Sequence, residues 1–360
     1  MVFRNLRSGK DYVCSSGSEN LLEILSKFHG KEGFPRDNIS AENIPNLDSL
    51  IDAGILIDEK EFLKIQDELR SWNKYEWRDA MLYHYGSDKP GYIEPYVSDW
   101  ETSRIETHEK YLRESRMPDI YKSHGGESTI SIKGELLPLN EIDMMQLLLS
   151  RRTVRNFTGE SVDLDTLYSI FYYATTSVRD IRKVLVQAML DSDGICLLKQ
   201  SEFTALEFYV IIHNCVGIAP GIYHFNLEHL TFDLLEEGEF RDEVKSIQMG
   251  QSVLHNSAFS MYIAIDFHKQ MWRYRYAHKY RTLLIQIGKI AQDFITYALS
   301  FGIGSFMSPA IKDSEAENLL DLDPTHEGVG YFMSFGKFNA RNESSYFFTN
   351  LPGKSEKDTA

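Results

Sequence analysis

The chain has 360 residues, 42% hydrophobic, 12% aromatic and 25% charged, the balance of a folded protein rather than a disordered or fibrous one. Thirty-eight Lys and Arg against 53 Asp and Glu leave a net charge of −15, which argues against nucleic-acid binding and against docking on an anionic membrane surface, since both need a positive field. Three cysteines, Cys14, Cys196 and Cys215, form no CxxC pair, the N-terminus lacks a signal-peptide core, and no stretch nears the roughly 18 apolar residues of a membrane span, so a soluble chain in a reducing cytoplasm is expected.

At roughly 100–200 residues per domain the length predicts about two domains. Residues 1–80 are expected to form a small helical, winged-helix-like module. Leu21, Leu22, Ile24, Leu25 and Phe28 follow a helical pattern, and Leu47 to Ile57 reads as an apolar helix face, a C-cap at Gly54 and a short β-branched run. Plain packing and peptide docking both fit this module. Residues 81–130, rich in Tyr, Trp, His and charge, read as a linker with short helices.

From 131 to 340 the pattern is strong. Met144, Leu147, Leu148 and Leu149 predict a helix running into Arg151 and Arg152, and Leu167, Ile170 and Phe171 predict a second over Leu164 to Thr175, N-capped by Asp163. Strands are expected at Leu206–Ile212, Gly221–Phe225, Leu230–Leu235, Phe259–Asp266 and Val329–Phe335. Between the last two, a helical repeat runs from Arg281 until Gly302 and Gly304 stop it. Its few polar positions predict a central, buried helix. The mixture reads as α+β, ending in a polar tail over 341–360.

Two segments could carry chemistry. Ser150 to Phe157 presents Arg151, Arg152 and Arg155 beside the Thr153 hydroxyl, a set that matches an anion such as phosphate; it would equally complement the end of a helix. Trp272 to Arg281 interleaves cations with phenols, suited either to acid–base work or to a cation–π surface stripe. His224 and His229, or His326-Glu327, do not make a metal motif, and no metal is expected. No GxSxG elbow, P-loop or GxGxxG after a strand is present, and Cys196 and Cys215 read as packing.

In their joint order these segments resemble the SagB/McbC-type FMN-dependent dehydrogenases of the nitroreductase-like superfamily. Arg151-Arg152-Thr153-Val154-Arg155-Asn156-Phe157 resembles the family's R-R-S-x-R-x-F, and Leu206-Glu207-Phe208-Tyr209-Val210-Ile211 its L-E-x-Y-V-V strand. Val216 to Phe225 is similar to V-x-G-L-x-P-G-x-Y-H-Y. Arg273-Tyr274 and Tyr280-Arg281, ahead of a long helix with Gly288, are similar to the K-Y and Y-R elements.

The resemblance covers about residues 130–340 and implies an antiparallel-rich sheet flanked by helices around a long buried helix. It implies oxidation of thiazoline and oxazoline rings to thiazoles and oxazoles in a modified precursor peptide, by a homodimer working beside a cyclodehydratase and other maturation enzymes. Arg151, Arg152, Thr153 and Arg155 would hold the FMN phosphate and ribityl chain, with the loop around Gly304, Ser305 and Phe306 near the flavin. The chain departs from the family twice. The family's Lys-Tyr pair reads Arg273-Tyr274 here if one residue is inserted and Tyr274-Arg275 if not, and neither keeps the Lys, leaving Tyr274, with Arg273 and Tyr280 beside it, as the catalytic candidates. Leu198-Lys199-Gln200-Ser201 replaces a P-S-G-G turn, so Lys199 and Ser201 would face the flavin. A reductase of the same fold with another substrate, and a non-catalytic partner subunit, are the alternatives.

Overall fold

The computed structural model describes residues 2–5, 10–13, 40, 44–52, 55–56, 59–60, 63–64, 70–87, 100–124, 129–139, 144–190 and 205–339. The chain forms two compact units, Met1–Tyr92 with Tyr276–His278, and Ile93–Arg275 with Lys279–Ala360.

In the first unit, strands β1 (Val2–Asn5) and β2 (Lys10–Val13) pair antiparallel, Val2 opposite Val13. Helix α1 (Ile44–Asp52) buries Leu47 and Leu50. The strand expected after it is instead a bend at Ile55 and Leu56, because both amides donate back to the Leu50 carbonyl and close the helix end. The Gly54 cap lies outside the described residues. Helices α2 (Arg70–Lys74) and α3 (Arg78–Gly86) follow, with the Trp72 and His84 rings stacked at 6.1 Å.

The second unit opens with α4 (Trp100–Glu114), a 15-residue helix within the stretch expected to be a linker with short helices. Then come β3 (Ser131–Ile132), α5 (Met144–Ser150), β4 (Val162–Asp163), α6 (Leu164–Ala174) and α7 (Thr176–Leu190). The Asp163 carboxylate accepts the Thr166 N–H at 2.7 Å, which is why α6 starts where it does. Strands β5 (Leu206–Ile212), β6 (Cys215–Val216), β7 (Gly221–Asn226) and β8 (Thr231–Glu237) follow. β8 begins one residue later than expected because Leu230 turns into the left-handed region, φ 57°, beyond a loop in which Asn226 Oδ1 accepts the Glu228 and His229 amides. The remaining elements are α8 (Arg241–Ile247), β9 (Phe259–Asp266), α9 (Phe267–Arg273), α10 (Lys279–Ser300), β10 (Gly304–Ser308), α11 (Asp313–Leu319) and β11 (Glu327–Gly336).

Seven strands form one antiparallel sheet in the order β10-β11-β9-β5-β7-β8-β3. The central strands are apolar on both faces because both are covered. From β5, Phe208 and Val210 join Phe259, Met261 and Ile263 of β9 under α6 and α10. Tyr209 and Ile211 join Tyr262 and Ala264 under α8 and α11. Phe171 of α6 anchors the first layer, its ring 5.0–5.2 Å from those of Phe294, Phe225 and Phe232. Burying such a side chain stabilises by about 1.5–3 kcal/mol.

α10 ends where glycine permits: Gly302 takes φ 72° while the Ile303 amide caps the Ala298 carbonyl. Its burial differs from expectation. Leu283, Ile287, Ile290 and Phe294 face the sheet, but Leu284 and Ile285 are 47% and 60% exposed, since a 3.6-residue period turns the apolar residues beside the buried stripe outward. No helix among the described residues is long and apolar enough to cross a membrane.

Candidate functional site

The guanidinium-rich turn is placed by the open edge of the sheet. β10 is an edge strand, and the chain leaving α5 docks on it: Thr153 bridges Ser305 in parallel, the Val154 amide donates to the Ser305 carbonyl at 2.9 Å, and Phe157 bridges Phe338. Val154 and Phe157 sink into the second core layer, which turns Arg152 and Arg155 outward and leaves Arg151 half-buried. The helix-end reading is met by Arg152, whose Nη1 donates to the Leu149 and Arg151 carbonyls at 2.7 and 2.8 Å.

Gly304 and Ser305 lie in a strand rather than the expected loop, because the edge is paired on both sides, by β11 and by the docked turn. A Cβ on Gly304 would come within 2.6 Å of Val154 and 2.7 Å of Phe338, so the glycine permits the docking itself. Lys199 and Ser201 lie outside the described residues.

Further along β10, Met307 borders a cleft of about 440 Å³ also lined by Leu284, Gly288 and Gln292 of α10, Pro309, and Gly330 and Tyr331 of β11. That volume suits a small-molecule or cofactor site. Gly288 sits in mid-helix, exposed, with nothing within 4 Å of where its Cβ would be. Glycine there costs a helix roughly 0.5–1 kcal/mol and relieves no crowding within the chain; it leaves the helix backbone open to the cleft.

The aromatic–cationic segment divides into distinct roles. α9 is N-capped by Asp266, whose carboxylate accepts the Lys269 N–H at 3.1 Å, and closes with Tyr274 donating its N–H to the Gln270 carbonyl at 2.9 Å. Two cations lie over the Tyr274 ring, the Arg273 guanidinium at 5.5 Å and the Lys279 ammonium at 4.4 Å. Arg273 is buried. The Tyr280 ring stacks 6.2 Å from that of Phe267. Arg275 covers the Tyr111 ring at 3.7 Å and bonds Glu114, the surface-stripe role.

Sequence reasoning did not single out the densest charge cluster. Glu207, 1% exposed on β5, receives Lys269 Nζ at 2.9 Å and Arg182 Nη2 at 3.1 Å on one oxygen, and His224 Nε2 at 3.2 Å on the other. Burial alone would raise its pKa, but Arg182, Lys269 and His224 outweigh that and hold the carboxyl well below the usual range. Around it, His124 bonds the Tyr209 hydroxyl at 3.0 Å, and burial, with the neighbouring His224 and Lys122, lowers His124 to about 3. Burial raises the Tyr209 phenol, with Glu207 adding to the shift. The signal was a lone carboxylate in the run Leu206-Glu207-Phe208-Tyr209-Val210-Ile211-Ile212, buried along its whole length.

Other candidates are inert or separate. Burial pushes the Cys215 thiol up to about 12, leaving it unreactive. His224 is committed to Glu207, whereas His229 lies beside Glu228 on the surface. Among the described residues no three metal-ligating side chains converge.

Comparison with known proteins agrees with this geometry. Residues 148–337, just over half of the chain, match the nitroreductase family. The trifolitoxin operon protein TfxC of Rhizobium leguminosarum bv. trifolii is 21% identical over 285 residues, 77% of each chain. The trifolitoxin-processing protein TfxB of the same organism is 30% identical over 130 residues, 34% of each. Among solved structures, a provisionally assigned nitroreductase of Anabaena variabilis superposes with a TM-score of 0.50 at 16% identity, over 62% of this chain and 45% of that one. The antiparallel sheet, the docked turn on its edge and the matched residues give one conclusion: the chain belongs to the nitroreductase family.

Proposed function

We propose that this chain is an FMN-dependent oxidoreductase that dehydrogenates thiazoline or oxazoline rings in a ribosomally made peptide. One strand carries the reading. β10 bears the bridge from Ser305 to Thr153, and so the guanidinium-rich turn, and two residues on it bears Met307 at the apolar cleft. A cofactor with a phosphate at one end and a planar ring at the other needs that pairing. The exposed backbone at Gly288 gives the ring close approach, so the residues present fit FMN. Arg151 and Arg155 would hold the phosphate, and Thr153 and Ser305 would add hydroxyls. The likeness to a trifolitoxin operon protein and a trifolitoxin-processing protein supports a peptide substrate and companion maturation enzymes.

Aromatisation removes one proton and one hydride from the azoline ring, and FMN, when bound, would supply the hydride acceptor. The chain's part is the proton. Tyr274, with the Arg273 and Lys279 cations over its ring, is the group we assign to take it, and Arg273, whose guanidinium has no free lone pair for a proton, would orient rather than transfer. The exposed apolar side chains of α10 and α5, Leu284, Ile285, Leu148 and Leu149, support a homodimer. One observation favours a non-catalytic partner subunit instead: Arg152 spends its donors on its own helix end.

A synthetic peptide bearing one thiazoline tests the reading. Wild-type protein with FMN converts it with the loss of two hydrogens by mass, and Tyr274→Phe keeps FMN but slows conversion about 100-fold. A wild-type rate in that variant removes Tyr274 from the chemistry, and no conversion by either protein favours the partner reading.

A further inference from the structure

α9 is seven residues, about two turns, too short to hold its own orientation. Three contacts fix it. The Phe267 amide donates to the His326 carbonyl at 2.7 Å, the Trp272 indole donates to Ser115 Oγ at 2.9 Å, and Lys269 pairs with Glu207 at 2.9 Å. The third ties the helix to the central strand of the sheet through an acceptor whose place is itself determined, since Arg182 and His224 grip the two oxygens of Glu207. Lys269 and Arg273 are i and i+4, on one face of the helix, and Tyr274 caps the end. A buried ion pair is rarely the cheapest way to stabilise a core, because apolar residues of the same volume often do as well; what it adds is direction.

We propose that Glu207 is a positioning residue for the reaction: acting through Lys269, it sets the rotation of α9 and thereby the placing of Arg273 and Tyr274. The functional half of this rests on the reading of Tyr274 as the proton-transfer group. The carboxylate touches no reacting atom; it acts along the chain Glu207, Lys269, α9, Tyr274. The Lys269 side chain, 8% exposed, also lies 3.5 Å from Asp266, the residue that caps the same helix, so one ammonium joins the sheet to both the start and the face of α9.

Lys269→Met is the variant of choice. It keeps the length of the side chain and leaves Glu207 paired with Arg182 and His224, so the fold survives a change that Glu207 substitutions would strain. With FMN and a synthetic thiazoline peptide, Lys269→Met retains bound FMN and loses at least tenfold in kcat with KM little changed. In a Tyr274→Phe background it costs clearly less than tenfold, because the proton-transfer group it places is gone and only Arg273 is left to place. A wild-type kcat in Lys269→Met, or losses that multiply in the double variant, overturns the proposal. Amide hydrogen exchange supplies an arm independent of turnover: residues 267–274 exchange at least tenfold faster in Lys269→Met while β5 and β9 are unchanged. Unaltered exchange over 267–274 overturns the strut whatever the activity. Faster exchange together with a wild-type rate for Tyr274→Phe upholds the strut and removes the catalytic reading, so the two fail separately.

Discussion

At residues 151–155 three guanidinium groups stand within five residues on a turn at the sheet edge, whereas at Glu207 two cations and a histidine close on one carboxylate inside the core. Arg152 and Arg155 of the first set face water, where charges are cheap to keep. The second is desolvated, so each charge must be matched within the chain and its geometry cannot drift. One region is open to solvent and the other is locked in shape. Their spacing in sequence reflects this: the turn is contiguous, while Glu207 meets partners 25 residues behind and 62 ahead.

The sharpest break of this comparison is Glu207→Ala. Removing the carboxylate takes the shared acceptor from Arg182 and Lys269 inside the core, and stability measured by denaturant unfolding falls by about 3–5 kcal/mol. Arg152→Ala, at the surface, costs less than about 1 kcal/mol in the same experiment. Equal losses at the two positions would erase the distinction.

A smaller effect comes from pH. Burial lowers both His124 and His213 from an ordinary 6.5 to about 3. Their folded pKa values lie below the unfolded ones, so the unfolded chain binds these protons first. Stability from this source is complete above pH 6.5 and is lost as pH falls from 6.5 toward 3. Glu207 works in the same direction lower down, its contribution present above its ordinary 4.5 and lost as pH falls through its depressed folded value. The melting temperature therefore begins to drop between pH 6.5 and 5, before most carboxylates titrate, and His213→Gln flattens that slope. A melting temperature flat from pH 7 to 5 would contradict the assignment.

Much of the fold is legible in the sequence because its central elements are unambiguous locally. Leu206–Ile212 and Phe259–Asp266 are continuous β-rich apolar runs, and both are observed with those bounds. Leu167, Ile170, Phe171 and the Asp163 cap define α6 without help from the rest of the chain. What escapes is set by tertiary partners. β10 is five residues, Gly304-Ser305-Phe306-Met307-Ser308, with no alternation to mark it, and it becomes a strand through β11 and the docked turn. α7 hides because Arg179 and Arg182, read locally, suggest a solvated face, yet both are buried. In the site, the guanidinium turn is visible as a contiguous motif. The Glu207 cluster is not, since a carboxylate in an apolar strand announces that it needs partners but not where they lie.

The most direct test of the account is the visible absorbance of the purified protein, with any released chromophore identified by mass, for wild type and Arg151→Ala side by side. The account predicts bound flavin and released FMN from the wild type, and retention weakened tenfold or more in Arg151→Ala, as loss of a charge-assisted contact of about 1.5–3 kcal/mol requires. A colourless wild type that also fails to take up added FMN would contradict it.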